Sequence, residues 1–226
     1  MVGLCIDTSG PSLTLALWHQ GHLLAAQTEA AEKRHSDMIT EVLGTLLNKT
    51  GLKTNDIEVI AVVNGPGSFS GLRVGLAFAK GMSLGLGCRL LALNALEALA
   101  FSAGAGAGLL SPVIDAKKSQ IYAALYELSP DDFRTLKEPM AVAPADWMQS
   151  LPEGARLLGS GVDICRALLS PRNPSQYVLE GLQAPTPVGL LRLAERKYRA
   201  GPFTSPEELE ALYLRPADAV LKAKVR

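Results

Sequence analysis

Val59-Ile60-Ala61-Val62-Val63, then Asn64-Gly65-Pro66-Gly67-Ser68-Phe69-Ser70-Gly71, then the run from Leu72 to Leu86 form the segment around which the rest of the chain is arranged. An apolar, β-branched run bounded by glycine and proline reads as a strand covered on both faces. The glycine-rich turn needs backbone freedom at Gly65, Gly67 and Gly71. Ser68 or Ser70 is placed to cap the free N–H groups of a following helix. That helix carries only two charges, Arg73 and Lys80, seven residues apart and so on one side. Small residues fall four apart along two stripes, Gly71, Gly75, Ala79 and Ser83 on one, Ala77, Gly81 and Gly85 on the other. Each interior glycine costs a helix about 1 kcal/mol relative to alanine, so close packing must offset it. Two readings stand: a buried core helix, or a helix that docks onto another subunit.

A strand, a glycine turn and a helix N-terminus also suit an anion. Gly65, Gly67, Ser68, Ser70 and Gly71 are the candidate phosphate-binding residues. No Gly-Lys-Ser/Thr follows them, so this is not a Walker A loop.

Working outward, Val2 to Ile6 and Leu13 to Leu17 read as a hairpin around Asp7-Thr8-Ser9-Gly10, with Leu23 to Thr28 as a third strand. Ser36 to Thr50 is an amphipathic helix with Met38, Ile39, Val42, Leu43, Leu46 and Leu47 on one face. A short strand at Arg89 to Ala92 and a helix at Asn94 to Phe101 complete a β-β-β-α-β-α-β-α unit. The Ala/Gly run from Ser102 to Gly108 then reads as a boundary, giving units at 1–102 and 109–226. After it the pattern restarts. Cys5-Ile6-Asp7-Thr8 and Leu13 to Trp18 align without a gap against Val113-Ile114-Asp115-Ala116 and Ile121 to Tyr126, which predicts a duplicated architecture. In the second half, a strand at Met140 to Val142, a helix at Pro144 to Ser150, a strand at Arg156 to Leu158, a helix reaching Leu169 and another at Val188 to Arg199 are expected. The tail ends on Lys222, Lys224 and Arg226.

The 226 residues are 48% hydrophobic, enough for an ordinary core. Lys+Arg and Asp+Glu both number 22, so no overall basic field grips nucleic acid unaided. Three scattered cysteines suggest neither a disulfide framework nor a zinc site and fit a reducing cytosol. The apolar N-terminus meets Asp7 too early for a signal peptide.

Asp7 and Asp115 end the first strand of each half. From there a two-lobed ATPase aims carboxylates at a metal-bound nucleotide; the simpler reading is that each caps its own turn. His35 stands four residues before Ile39, so no histidine pair holds a metal. Ser68 and Ser70 have no histidine at a recognisable spacing, which leaves a hydrolase unsupported. Gly159-Ser160-Gly161 either approaches an adenine or lets strand and helix pack.

Leu4-Cys5-Ile6-Asp7-Thr8-Ser9, Gly65-Pro66-Gly67-Ser68-Phe69-Ser70-Gly71-Leu72-Arg73-Val74-Gly75, Ile114-Asp115-Ala116-Lys117-Lys118 to Ile121-Tyr122, and Tyr213-Leu214-Arg215 resemble the bacterial TsaB (YeaZ) family. The resemblance implies a duplicated actin-like ATPase (ASKHA) α/β fold of two lobes, each a mixed sheet with flanking helices. It also implies a non-catalytic subunit that joins TsaD and TsaE to form N6-threonylcarbamoyladenosine at position 37 of tRNAs reading codons that begin with A. TsaD carries a histidine pair four apart on the equivalent helix, where this chain has His35 and Ile39. Family members dimerise or pair with TsaD through helices of the first half, which here points to Met38, Ile39, Val42, Leu46, Arg73, Gly75, Leu76, Ala79, Lys80 and Ser83. No cofactor of its own is expected, with ATP or ADP at the interface of the assembled complex. The resemblance also implies that the tRNA is reached through that complex, that the chain alone is either a monomer or a homodimer, and that no membrane is involved. The alternative is a nucleotide-hydrolysing enzyme using Asp7 and Asp115.

Overall fold

Strand β1 (Val2–Asp7) is buried along its whole length and sits in the middle of a five-stranded sheet. It pairs antiparallel with β2 (Ser12–His19), which pairs antiparallel with β3 (His22–Ala30). On its other side it runs parallel to β4 (Ile57–Gly65), which is parallel to β5 (Arg89–Asn94). The sheet order is therefore β3-β2-β1-β4-β5. Helices α1 (His35–Thr50) and α2 (Phe69–Leu86) supply the two crossovers and share one core with the sheet, through Ile39, Val42, Leu46, Leu76 and Ala79 against Leu4, Ile6, Ile60 and Val62. These two helices cover one face of the sheet, and Val59 to Val63 is nevertheless buried residue by residue, because the other face is covered too, which is why the run is continuously apolar. Helix α3 (Ala95–Ser102) follows, capped by Asn94, whose Oδ1 accepts from the N–H groups of Leu96 and Glu97.

The second sheet repeats the plan. Strands β6 (Gly108–Lys117), β7 (Gln120–Leu128) and β8 (Phe133–Val142) form an antiparallel meander, and β9 (Arg156–Leu158) and β10 (Val178–Leu179) lie parallel on the other side of β6. Read from β8, the order is β8-β7-β6-β9-β10, the same as in the first sheet. Helices α4 (Pro144–Ser150) and α5 (Val162–Arg166) close its core around Trp147, whose indole N–H donates to the buried Ser111 hydroxyl at 2.9 Å. The fold is thus a duplicated α/β arrangement, a mixed sheet with flanking helices occurring twice. This computed structural model describes residues 1–31, 34–104, 108–129, 132–169, 178–179 and 181–215. No helix among them is long and apolar enough to cross a membrane. The basic tail residues Lys222, Lys224 and Arg226 lie outside the described residues.

Two expectations change. The units are Met1–Gly104 with Ala184–Ala211, and Ala105–Gln183 with Leu212–Arg226, where the sequence suggests a single boundary between 102 and 109. The reason is α6 (Pro187–Ala200), which buries Leu190, Leu193 and Ala194 and packs on α3 and the first sheet. Each such leucine contributes about 1.5–3 kcal/mol by leaving water. The Trp18 indole N–H donates to Glu195 Oε1 at 2.9 Å, and Lys197 pairs with Glu97 at 3.0 Å.

The second change is one of register. Ile6 pairs with Leu15, whereas Ile114 pairs with Tyr122, one residue earlier than an ungapped repeat requires. The β6–β7 turn is tighter because Lys117, Lys118 and Ser119 all adopt left-handed conformations, with φ of 60°, 53° and 58°.

Candidate functional site

Helix α2 has two faces built from small residues, and they do different things. On the inner face, the Thr8–Ser9 turn that follows β1 lies directly against the helix start. A Cβ at Gly67 would strike the Ser9 carbonyl oxygen, one at Gly71 the Thr8 carbonyl oxygen, and one at Gly75 the Thr8 hydroxyl. The contacts are locked by hydrogen bonds: Ser68 N–H donates to Ser9 O at 2.7 Å, and Thr8 Oγ1 donates to Gly71 O at 2.8 Å. The Ser68 side chain caps the helix by accepting from Gly71 N–H at 3.4 Å. Gly67 and Gly71 of the candidate phosphate loop are therefore accounted for by close approach of one backbone to another, and Gly65 by its φ of 134°.

The inner stripe corrects the sequence-based docking set. Ile39, Val42, Leu46, Gly75, Leu76, Ala79 and Ser83 are all buried within the chain, and the Ser83 hydroxyl donates to Cys88 O at 2.7 Å. Met38 and Lys80 are half-buried, and Arg73 is exposed, with its guanidinium 3.8 Å from the centre of the Phe69 ring.

The outer stripe is open. Ala77, Gly81 and Gly85 are exposed, and a Cβ at Gly81 or Gly85 would meet nothing within 4 Å among the described residues. They lie in a shallow apolar groove of about 510 Å³ bordered by Phe78, Met82, Leu86 and Thr54. Leu84, 69% exposed, projects from the same helix. The sequence shows Ala77, Gly81 and Gly85 as a stripe, yet the docking set expected from the family resemblance omits all three. With a helix that is apolar nearly all round, periodicity does not tell the inner face from the outer one.

The two aspartates are held in contrasting ways. Asp7 is buried, and its Oδ1 accepts from Ser9 N–H at 2.8 Å and Ser9 Oγ at 2.7 Å. Burial pushes its carboxyl above the usual value, against the lowering effect of these Ser9 bonds and of His35. Asp115 is partly exposed, with Oδ1 accepting from Lys117 N–H at 2.8 Å and Oδ2 paired with Lys117 Nζ at 2.6 Å. Partial desolvation raises its pKa, but the Lys117 bonds and charge outweigh it and hold the carboxyl below the usual range. Each aspartate caps its own turn.

The remaining candidates are structural. His35 is buried at the start of α1, and its Nε2 has no hydrogen-bond partner among the described residues. No group of three or more His, Cys, Asp or Glu side chains gathers as a metal-ligand set among them. Gly161 packs on Val113 and Ile121 and donates its N–H to Val113 O at 3.0 Å, while Ser160 Oγ accepts from Asp115 N–H at 3.2 Å. Arg215 fixes the described end of the tail by donating to Ala116 O at 3.0 Å.

Residues 23–184 match the family model described as TsaD, tRNA N6-adenosine threonylcarbamoyltransferase. The chain is 33% identical over 156 residues to the tRNA threonylcarbamoyladenosine biosynthesis protein TsaB of Bacillus subtilis, covering 69% of this chain and 68% of that protein. The chain belongs to the TsaB (YeaZ) family. The TsaB protein of Haemophilus influenzae is 26% identical over 94% of this chain and 92% of its own length. The solved structure of YeaZ from Pseudomonas aeruginosa superposes with a TM-score of 0.83 at 23% identity, over 94% of this chain and 99% of that one, which shows the fold.

Proposed function

We propose that this TsaB-family chain serves tRNA threonylcarbamoyladenosine formation as a non-catalytic pairing subunit. Its outer α2 face, with α1 beside it, docks onto TsaD, and TsaE joins the pair. The observation that carries the reading is the open apolar groove at Ala77, Gly81 and Gly85, where a neighbouring helix backbone can approach closely without displacing any side chain. The match of residues 23–184 to a TsaD model supports the choice of partner. Two chains of similar fold that meet through equivalent helices form a nearly two-fold interface, and the same face then accepts a second copy of this chain when TsaD is absent.

Support for a non-catalytic role comes from the aspartates. Both carboxylates are engaged by their own turns, and burial favours the neutral form of Asp7. ATP or ADP is assigned to the assembled complex, and the tRNA adenosine to be modified is the one at position 37.

The test is reconstitution. The chain mixed with TsaD, TsaE, ATP and the remaining substrates is expected to be required for tRNA modification, while the purified chain alone turns over no ATP. ATP turnover by the chain alone that vanishes in Asp7→Asn would overturn the non-catalytic reading, and full modification without the chain would overturn the subunit reading.

A further inference from the structure

Helix α6 carries Arg192, Arg196 and Arg199 at spacings of four and three residues, which places all three on one exposed stripe. Its opposite side is buried in the first unit through Leu190, Leu193 and Ala194. The single acid on the helix, Glu195, is already engaged: Oε1 accepts from the Trp18 indole and Oε2 pairs with Arg199 at 3.2 Å, and its side chain is only 14% exposed. The three arginines rim a pocket of about 650 Å³ whose wall includes Phe101 and Leu191. The chain as a whole has no net charge, so this stripe is a local segregation of positive charge.

We propose that this face of α6 binds the sugar-phosphate backbone of RNA, with the half-buried Phe101 at the pocket wall taking the flat face of a base or ribose. Guanidinium groups are planar, permanently charged and matched to phosphate oxygens by paired N–H donors. Three of them about 5–6 Å apart along a helix form a row suited to successive phosphates of one strand. The aromatic and apolar wall beside the row favours a nucleic acid over an acidic peptide, because bases stack on such surfaces. The inference rests on the reading that the chain works in a tRNA-modifying assembly, and assigns to this subunit a direct share in holding that RNA.

The experiment uses the full chain mixed with TsaD and TsaE, with labelled tRNA binding followed by fluorescence anisotropy across a salt series. The variant is Arg192→Ala with Arg196→Ala, and the control is Arg134→Ala with Arg166→Ala, which removes the same charge from exposed positions of the second unit. Each lost phosphate contact lowers the slope of log affinity against log salt by about 0.7–0.9. The α6 variant is therefore expected to lose between one and two units of slope and roughly tenfold in affinity at moderate salt, with the control unchanged. Copurification with TsaD is expected to survive in both.

Wild-type RNA binding in the α6 variant would overturn the inference, as would an equal loss in the control. So would displacement of the tRNA by polyglutamate at matched charge, which would assign the face to an acidic protein. Any of these results with TsaD pairing intact sinks this inference alone. Failure of the wild-type chain to pair with TsaD sinks the reading beneath it.

Discussion

The inner and outer stripes of α2 have the same composition and opposite surroundings. Gly71 and Gly75 are small because Thr8 occupies the space a side chain would need, whereas Gly81 and Gly85 are small although nothing among the described residues approaches them. A run of small residues on a helix therefore has two causes, close packing within the chain or room kept for a neighbour. What a Cβ would meet separates them.

The largest expected effect comes from the inner stripe. Gly75→Leu drives a side chain into the Thr8 hydroxyl and is expected to cost roughly 3 kcal/mol or more, read from the midpoint of urea unfolding. A stability near wild type would erase the distinction between the two faces. Next, Gly81→Ala is expected to raise stability by about 1 kcal/mol, since alanine fits the open outer face and is the better helix former. Destabilisation there would mean that Gly81 is packed against something in this chain.

The smallest effects separate the two halves by pH. Asp7 has a folded pKa raised above the ordinary 3.8, so its contribution to stability is full below that value and is lost as pH rises through the folded one. Asp7→Asn is therefore expected to be more stable than wild type at neutral pH, with the advantage fading in acid. Asp115 has a folded pKa below 3.8, so it contributes above that value and its contribution is lost as pH falls through the folded one. Asp115→Asn is expected to be slightly less stable at neutral pH, by less than about 1 kcal/mol for so exposed a pair, and equal to wild type in strong acid. Thermal unfolding across pH checks both, and equal signs would contradict the contrast.

Much of the architecture is legible in the sequence because it rests on local signals. The hairpin alternation after Asp7, the Ser68 cap, the glycine turn and the restart at Val113 are each readable within a short window. The placement of α6 is not. Its amphipathic pattern shows that one face is buried but not which sheet buries it, and the deciding contact joins Trp18 to Glu195 across most of the chain. The register of the second hairpin is hidden for a different reason: Lys117, Lys118 and Ser119 are all non-glycine residues in a left-handed conformation that their types do not announce. The outer face of α2 is half visible in the sequence, which shows the stripe of Ala77, Gly81 and Gly85 but not the direction it faces.

The most direct test is a titration of TsaD with the wild-type chain and with Gly81→Leu, Gly85→Leu, each first shown to unfold at a similar urea concentration. The double variant is expected to stay folded while its affinity for TsaD falls at least a hundredfold, because two leucines fill the groove proposed to receive a partner helix. A folded double variant that binds TsaD as tightly as wild type would contradict it.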